Sequence, residues 1–236
     1  VTGTNRKTTT NNLIKSLLKK KGITLYNEFG ANMVSGIVST FLDNLKKTYN
    51  YCSLEVDEGS LVELTKQFKP DVVVVTNIFR DQLDRYGEVD ITRNLIFRGI
   101  GDSLVLMNGD DPNLNLFQGE KKVFFSVESQ THFQNRNVTL DAQFCPVCGA
   151  KLVYEYYNVG HLGKFHCSSC GFRNLDPRFL IKNIKGNKNN FTFDFADKNA
   201  NTIKNLETKE YWIYQPYNIC AAFSCISLLG LEPSEV

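Results

Sequence analysis

Two groups of residues have types and spacing suited to chemistry. The first is Val1-Thr2-Gly3-Thr4-Asn5-Arg6-Lys7-Thr8-Thr9-Thr10. Glycine and small residues ahead of a lysine–threonine pair read as a phosphate-binding loop entering a helix. Backbone N–H groups there can turn onto phosphate oxygens, Lys7 can reach the terminal phosphates, and the Thr8 hydroxyl can hold magnesium. The positive end of the helix adds to the same anion site. Arg6 stands where such loops carry glycine, a position that needs close approach and unusual backbone angles. The second group is Cys145, Cys148, Cys167 and Cys170, spaced C-x2-C-x18-C-x2-C. Two knuckles, Cys-Pro-Val-Cys-Gly and Cys-Ser-Ser-Cys-Gly, predict a zinc ribbon with four thiolates in a closed, structural site. His161 and His166 lie between the knuckles as competing ligands, which four cysteines make unnecessary.

These residues need elements to place them. Leu13, Ile14, Leu17 and Leu18 recur at helical spacing after the loop, and Lys19 to Lys21 close the helix before Gly22. Ile23 to Tyr26 and Tyr51 to Val56 read as strands, Met33 to Leu45 and Asp57 to Phe68 as helices. Asp71-Val72-Val73-Val74-Val75-Thr76-Asn77 is a continuous β-branched run of the kind buried in a parallel sheet. Further strands are expected at Ser103–Met107, 121–126, 191–195 and Tyr211–Tyr214. Helices are expected at Ile91–Phe97 and from Tyr217 to near Gly230. Alternating strands and helices after a phosphate loop predict an α/β fold, a doubly wound and mostly parallel sheet with the zinc ribbon inserted. In such sheets ligands sit at the carboxyl ends of the strands, and Glu55 and Asn77 fall on that rim. Glu55 can complete a magnesium shell with Thr8. Asp57 and Glu58 read more simply as acids of a helix's first turn.

The chain has 236 residues, 42% apolar and 22% charged, with a net charge of +2. This is a globular composition, and so small a net charge gives no basis for nucleic-acid binding. No apolar run is long enough to span a bilayer. Seven cysteines, four of them at metal spacing, favour a reducing, cytoplasmic setting. Cys52, Cys220 and Cys225 are expected to be buried. The expected organisation is an ATP-binding domain in two parts, 1–128 and 179–232, around a ribbon insertion at 129–178. Residues 233–236 would begin a linker to a missing C-terminal domain, since the chain opens within a motif and reads as a fragment.

Thr2-Gly3-Thr4-Asn5-x-Lys7-Thr8-Thr9-Thr10 resembles the ATP loop of the Mur ligases, which build the peptidoglycan peptide. Leu54-Glu55-Val56-Asp57-Glu58, the segment from Thr76 to Glu88, Asn108-Gly109-Asp110-Asp111-Pro112 and Tyr217-Asn218-x-x-Ala221-Ala222 follow in that family's order. The string Arg80-Asp81-Gln82-Leu83-Asp84-Arg85-Tyr86-Gly87-Glu88, with the four-cysteine insertion, is similar to the MurT branch. That branch supplies the ligase-like subunit of lipid II isoglutaminyl synthase. The resemblance implies ATP, Mg2+ and structural Zn2+ as cofactors, lipid II as substrate and a GatD-type glutamine amidotransferase as partner. It places the work in the cytoplasm at the inner face of the plasma membrane. ATP would activate the α-carboxylate of D-glutamate as an acyl phosphate, and ammonia would convert it to D-isoglutamine. Gly3, Thr4, Asn5, Lys7, Thr8 and Thr9 would hold the phosphates and Asn218 the adenine. Lys7 and Glu55 would be catalytic, with Thr8 and Glu55 on magnesium. Gln82 replaces the histidine of ordinary Mur ligases. No lysine lies between Lys69 and Lys121 to be carbamoylated, which fits ammonia as nucleophile. The competing reading is a degenerate, non-catalytic nucleotide-binding scaffold, for which Arg6 is the main support.

Overall fold

A computed structural model describes residues 1–28, 30–80, 88–130, 141–186, 190–209 and 213–233. The chain divides into two compact units. The first comprises Val1–Leu106, Gly119–Lys122 and Ala221–Val236; the second comprises Met107–Gln118 and Val123–Cys220.

In the first unit, helix α1 spans Lys7–Lys21 and buries Thr10, Asn11, Ile14 and Leu18. Lys19, Lys20 and Lys21 occupy its last turn, where cations complement the helix dipole. Strands β1 (Thr24–Tyr26) and β2 (Tyr51–Ser53) pair in parallel, with helix α2 (Val34–Asp43) between them in sequence. Helix α3 (Glu58–Gln67) begins on Asp57, whose carboxylate accepts from Gly59 N–H at 3.1 Å. The valine run becomes β3 (Val72–Val75), with Val73, Val74 and Val75 at most 2% exposed. Helix α4 (Glu88–Ile100) then leads to β4 (Leu104–Asn108), which neighbours β3. Cys52 is exposed, contrary to expectation. Side chains alternate along β2, so Ser53 takes the buried face and Cys52 the outer one.

In the second unit, β5 (Lys122–Val127), β8 (Phe179–Gly186), β9 (Phe191–Asp197) and β10 (Ile203–Thr208) stand in the order β10-β9-β8-β5. β5 and β8 are parallel; β8, β9 and β10 are antiparallel. Phe125, Phe165, Phe179, Phe191 and Phe195 are the largest fully buried side chains among its described residues, and Phe179 stacks on Phe195 at 5.8 Å. β6 (Val153–Val159) and β7 (Leu162–His166) form a separate hairpin. The chain is thus a mixed, mostly parallel α/β structure carrying a four-cysteine hairpin.

The expected strand at Tyr211–Tyr214 is not formed at Ile213 and Tyr214, which turn into helix α5 (Gln215–Leu228); positions 210–212 lie outside the described residues. Pro216 accounts for this, because proline at the start of a helix has no N–H to leave unpaired and its φ is already helical.

Candidate functional site

The loop is built on the edge of β3. Thr2 N–H donates to Val74 O at 2.8 Å and Thr76 N–H returns a bond to Thr2 O at 3.0 Å, so residues 1–2 continue the sheet in parallel. Gly3 follows with φ +119°. A Cβ there would overlap the Thr76 hydroxyl and come within 2.8 Å of Asn77 O, so the tight turn demands glycine. Asn77 then fastens the loop. Its backbone carbonyl accepts from Thr4 N–H at 2.9 Å, its Oδ1 from Asn5 N–H at 3.0 Å, and its Nδ2 donates to Asn5 O at 3.2 Å. The Thr76 hydroxyl also donates to Asn5 O, at 2.8 Å.

This wiring narrows the expected phosphate cradle. The N–H groups of Thr4 and Asn5 are engaged by Asn77. The first intrahelical bond runs from Thr10 N–H to Arg6 O at 3.0 Å. The N–H groups of Lys7, Thr8 and Thr9 therefore have no carbonyl behind them in the helix, and are the ones positioned to meet an anion. Arg6 adopts φ 65°, ψ 16°, the left-handed conformation, with an exposed side chain. It does in this loop what glycine does elsewhere, and its side chain stays out of the turn.

Lys7 donates to Glu58 Oε1 at 2.8 Å, with both side chains about 15% exposed. The sequence reading assigned Glu58 only to a first helical turn, because no spacing rule links residues 7 and 58. Burial raises the Glu58 carboxyl above the usual range, and the Lys7 charge and hydrogen bond pull it back. Glu55 is 8% exposed. Asn27 pins its backbone in both directions, accepting from Glu55 N–H at 2.9 Å and donating to Glu55 O at 2.7 Å. Asn32 Nδ2 donates to the Glu55 carboxylate at 3.2 Å. Ser53 donates to Asn11 at 2.7 Å, which ties β2 to α1 one turn beyond Thr8. A carboxylate oriented by polar partners and a threonine at a helix start are donor types suited to magnesium with a nucleotide phosphate. Lys7 and Thr8 open α1, and Glu55 follows β2, which the Ser53–Asn11 bond ties to the same helix.

Asn218 belongs to the second unit. It lies in the first turn of α5, past the helix start, is 4% exposed, and donates from Nδ2 to Gln215 Oε1 at 3.4 Å. It is inside the helix and does not cap it. The segment 81–87, with Gln82, lies outside the described residues.

The metal centre needs less assembly. The sulfurs of Cys145, Cys148, Cys167 and Cys170 lie within 4.8 Å of one another, and Cys145–Cys170 and Cys148–Cys167 are 3.6 and 3.5 Å apart. A tetrahedral zinc–thiolate site has sulfurs about 3.8 Å apart, given zinc–sulfur bonds of ~2.3 Å, so the four thiols fit that ion. The two knuckles repeat each other. Gly149 N–H donates to Cys145 O and Gly171 N–H to Cys167 O, both at 2.9 Å. The glycines have φ 76° and 78°. Leu152, Phe165, Tyr154 and Phe172 pack around the two buried cysteines. Neither histidine joins the four-thiol group. His161 is fully buried with Nε2 3.3 Å from Asp111, and His166 lies in the β7 ladder.

A buried polar junction in the second unit joins two motifs that the sequence analysis quoted, Asn108–Pro112 and Tyr217–Ala222, without assigning them a contact. Asp110, 1% exposed, accepts from Ser126 Oγ at 2.5 Å, Val127 N–H at 3.1 Å and Tyr217 Oη at 2.8 Å. Asn158 of β6 donates to Tyr217 Oη at 3.0 Å and accepts from Gln130 N–H at 2.7 Å. Asn174 donates to Gly109 O and Gly163 O, both at 2.9 Å. Burial pushes the Asp110 carboxyl up to about 6, against the pull of its three donors.

Residues 1–168 match the Mur ligase middle domain. Over 241 aligned residues the chain is 32% identical to the MurT subunit of lipid II isoglutaminyl synthase from Staphylococcus aureus, covering all of this chain and 53% of that protein. It is 34% identical to the Streptococcus pneumoniae MurT subunit, covering 98% of this chain and 53% of the relative. The chain therefore spans about half the length of these relatives. Among solved structures, a pseudomurein peptide ligase type C from Methanothermus fervidus superposes with a TM-score of 0.75 at 25% identity, over 99% of this chain and 46% of that one. MurF from Thermotoga maritima in complex with ADP gives 0.62 at 20% identity, over 98% and 45%, and shares the fold. Matched over residues 1–168 by that family and over nearly its whole length by these relatives, this protein belongs to the Mur ligase middle-domain family and is a homologue of MurT.

Proposed function

We propose that this chain is the ATP-binding part of a ligase that amidates the D-glutamate α-carboxylate of a lipid II stem peptide. Ammonia would come from a GatD-type glutaminase partner, and the chain would work in the cytoplasm at the inner membrane face. The observation that carries the reading is the full-chain likeness to MurT subunits, across both the phosphate loop and the cysteine hairpin. ATP supplies the phosphoryl group that turns a carboxylate into an acyl phosphate. Lys7 and the N-terminal N–H groups of α1 neutralise phosphate charge. Thr8 and Glu55 hold the magnesium, with Glu55 kept in place by Asn27 and Asn32. Asn218 contacts the adenine, and residues 129–178 form the structural zinc insertion.

The left-handed backbone at Arg6 opposes the scaffold reading, because the loop keeps its turn despite the arginine. A second reading has specific support: the superposition on the pseudomurein peptide ligase favours joining an amino acid to a peptide carboxyl. The experiment is a reaction of the full-length protein with its glutaminase partner, Mg-ATP, glutamine and lipid II, read by mass spectrometry. Replacement of a carboxyl by a carboxamide supports amidation. ATP turnover only when a free amino acid is added would move the assignment to peptide ligation. Absence of any ATP turnover by the complete complex would overturn both.

A further inference from the structure

Helix α2 is amphipathic, but only Ile37 of it is buried. Val34, Val38, Phe41 and Leu42 recur at i, i+4, i+7 and i+8, one stripe of a 3.6-residue helix, and Leu45 continues it in the following turn. Leu42 is 60% and Leu45 73% exposed. Asp43, the helix's one acid, falls about half a turn from the stripe's centre. The apolar surface extends to Phe68 at the end of α3, whose ring meets Phe41 edge-on at 6.0 Å. Cations border it. Lys46 and Lys47 are exposed just beyond α2, and Lys69 follows Phe68. Lys66, Lys69 and Arg98 line one cleft along α3 and α4, where the acids are Asp102 and, paired to Lys66 at 2.7 Å, Glu63.

We propose that this face of the first unit docks on an anionic phospholipid bilayer, with the α2 stripe lying in the interface and the lysines on the headgroups. Apolar side chains bordered by lysine suit a lipid interface, where both terms of binding are used. A protein hot spot would instead favour tryptophan, tyrosine and arginine at its centre, which the stripe lacks. No helix among the described residues is long and apolar enough to cross a membrane, so the contact is peripheral. The proposal goes beyond the amidation reading, and its test uses neither ATP nor peptide, so the two fail separately.

The test is co-sedimentation of the zinc-loaded chain with phosphatidylcholine vesicles, with and without phosphatidylglycerol. The chain is expected to bind the anionic vesicles, to bind pure phosphatidylcholine several-fold more weakly, and to release as salt rises. Leu42→Asp with Leu45→Asp should weaken binding to anionic vesicles at least about tenfold. Lys46→Glu with Lys47→Glu should weaken it by roughly tenfold on anionic vesicles and little on neutral ones. Circular dichroism and the thermal melting curve should be unchanged in both variants. Failure to bind either vesicle, or binding indifferent to both double substitutions, would overturn the proposal. So would self-association of the native chain that Leu42→Asp with Leu45→Asp abolishes while vesicles stay unbound, because the stripe would then belong to a second copy.

Discussion

Set beside the four-thiol hairpin of the second unit, the phosphate-type loop of the first is assembled from distant pieces of chain. The hairpin's ligands come from two short knuckles of one repeated geometry, and its sulfurs already stand at zinc spacing. The loop draws on residues 1–10, on Asn27 and Asn32, on Glu55 and Glu58, and on Thr76 and Asn77. It holds a left-handed arginine and an internal ion pair on its lysine. The difference suits the two proposed roles. A metal that is part of a fold needs a closed cage, whereas a ligand that comes and goes needs charges with an interim partner.

Removing the metal is the sharpest way to test this contrast. Cys145→Ser with Cys170→Ser, or chelation, should cost the hairpin its order, since structural zinc in small domains contributes on the order of 10 kcal/mol. Zinc stoichiometry and near-ultraviolet dichroism from Tyr154, Phe165 and Phe172 would report it. An unchanged spectrum without metal would break the comparison. Lys7→Ala should lower Mg-ATP affinity by about 100-fold, the loss of a charged hydrogen-bonding partner worth ~3 kcal/mol, and should also lower stability by about 1–3 kcal/mol, because Glu58 is left largely buried without its partner; calorimetric titration and a melting curve report the two effects.

The polar junction gives a pH signature. Asp110 binds its proton more tightly in the folded state, with a pKa of about 6, than in the unfolded chain. The folded form then carries the extra proton between the two values, so stability should fall as pH rises from about 4 to 6, by roughly 1–3 kcal/mol. Asp110→Asn should flatten that fall in a denaturant series while lowering stability overall, because one amide oxygen cannot accept from three donors.

Smaller effects belong to the loop. Glu58→Gln removes the charge that competes for Lys7 and should tighten Mg-ATP roughly threefold to tenfold, on the scale of a partly buried ion pair. Weaker binding would mean that Glu58 holds Lys7 in place for the phosphates. Arg6→Gly should raise stability by about 0.5–1 kcal/mol, the left-handed penalty less glycine's extra chain entropy. For a chain of this size that is a melting-temperature gain of roughly 1–4 °C.

How much of this was legible follows from locality. The knuckles, the valine run of β3 and the periodic leucines of α1 are set by neighbours in sequence, and they formed where pattern placed them. β8 and β10 were not foreseen. β10 is a polar edge strand with an irregular register between Ile203 and Leu206, so it lacks clean alternation. Asn77's grip on the loop, the Lys7–Glu58 pair and the Asp110–Tyr217 bond join residues 51 to 107 positions apart. No periodicity encodes such contacts; the rim rule for parallel sheets and the family-like segment from Thr76 pointed to Asn77 without giving its partners.

The junction around Asn158 has one more implication. This asparagine sits on the four-cysteine hairpin and holds the hydroxyl of Tyr217, the residue directly before Asn218. Hairpin and helix start are therefore geared together. Whatever slackens the hairpin, the loss of a bound metal included, would also loosen the first turn of α5, where Asn218 lies.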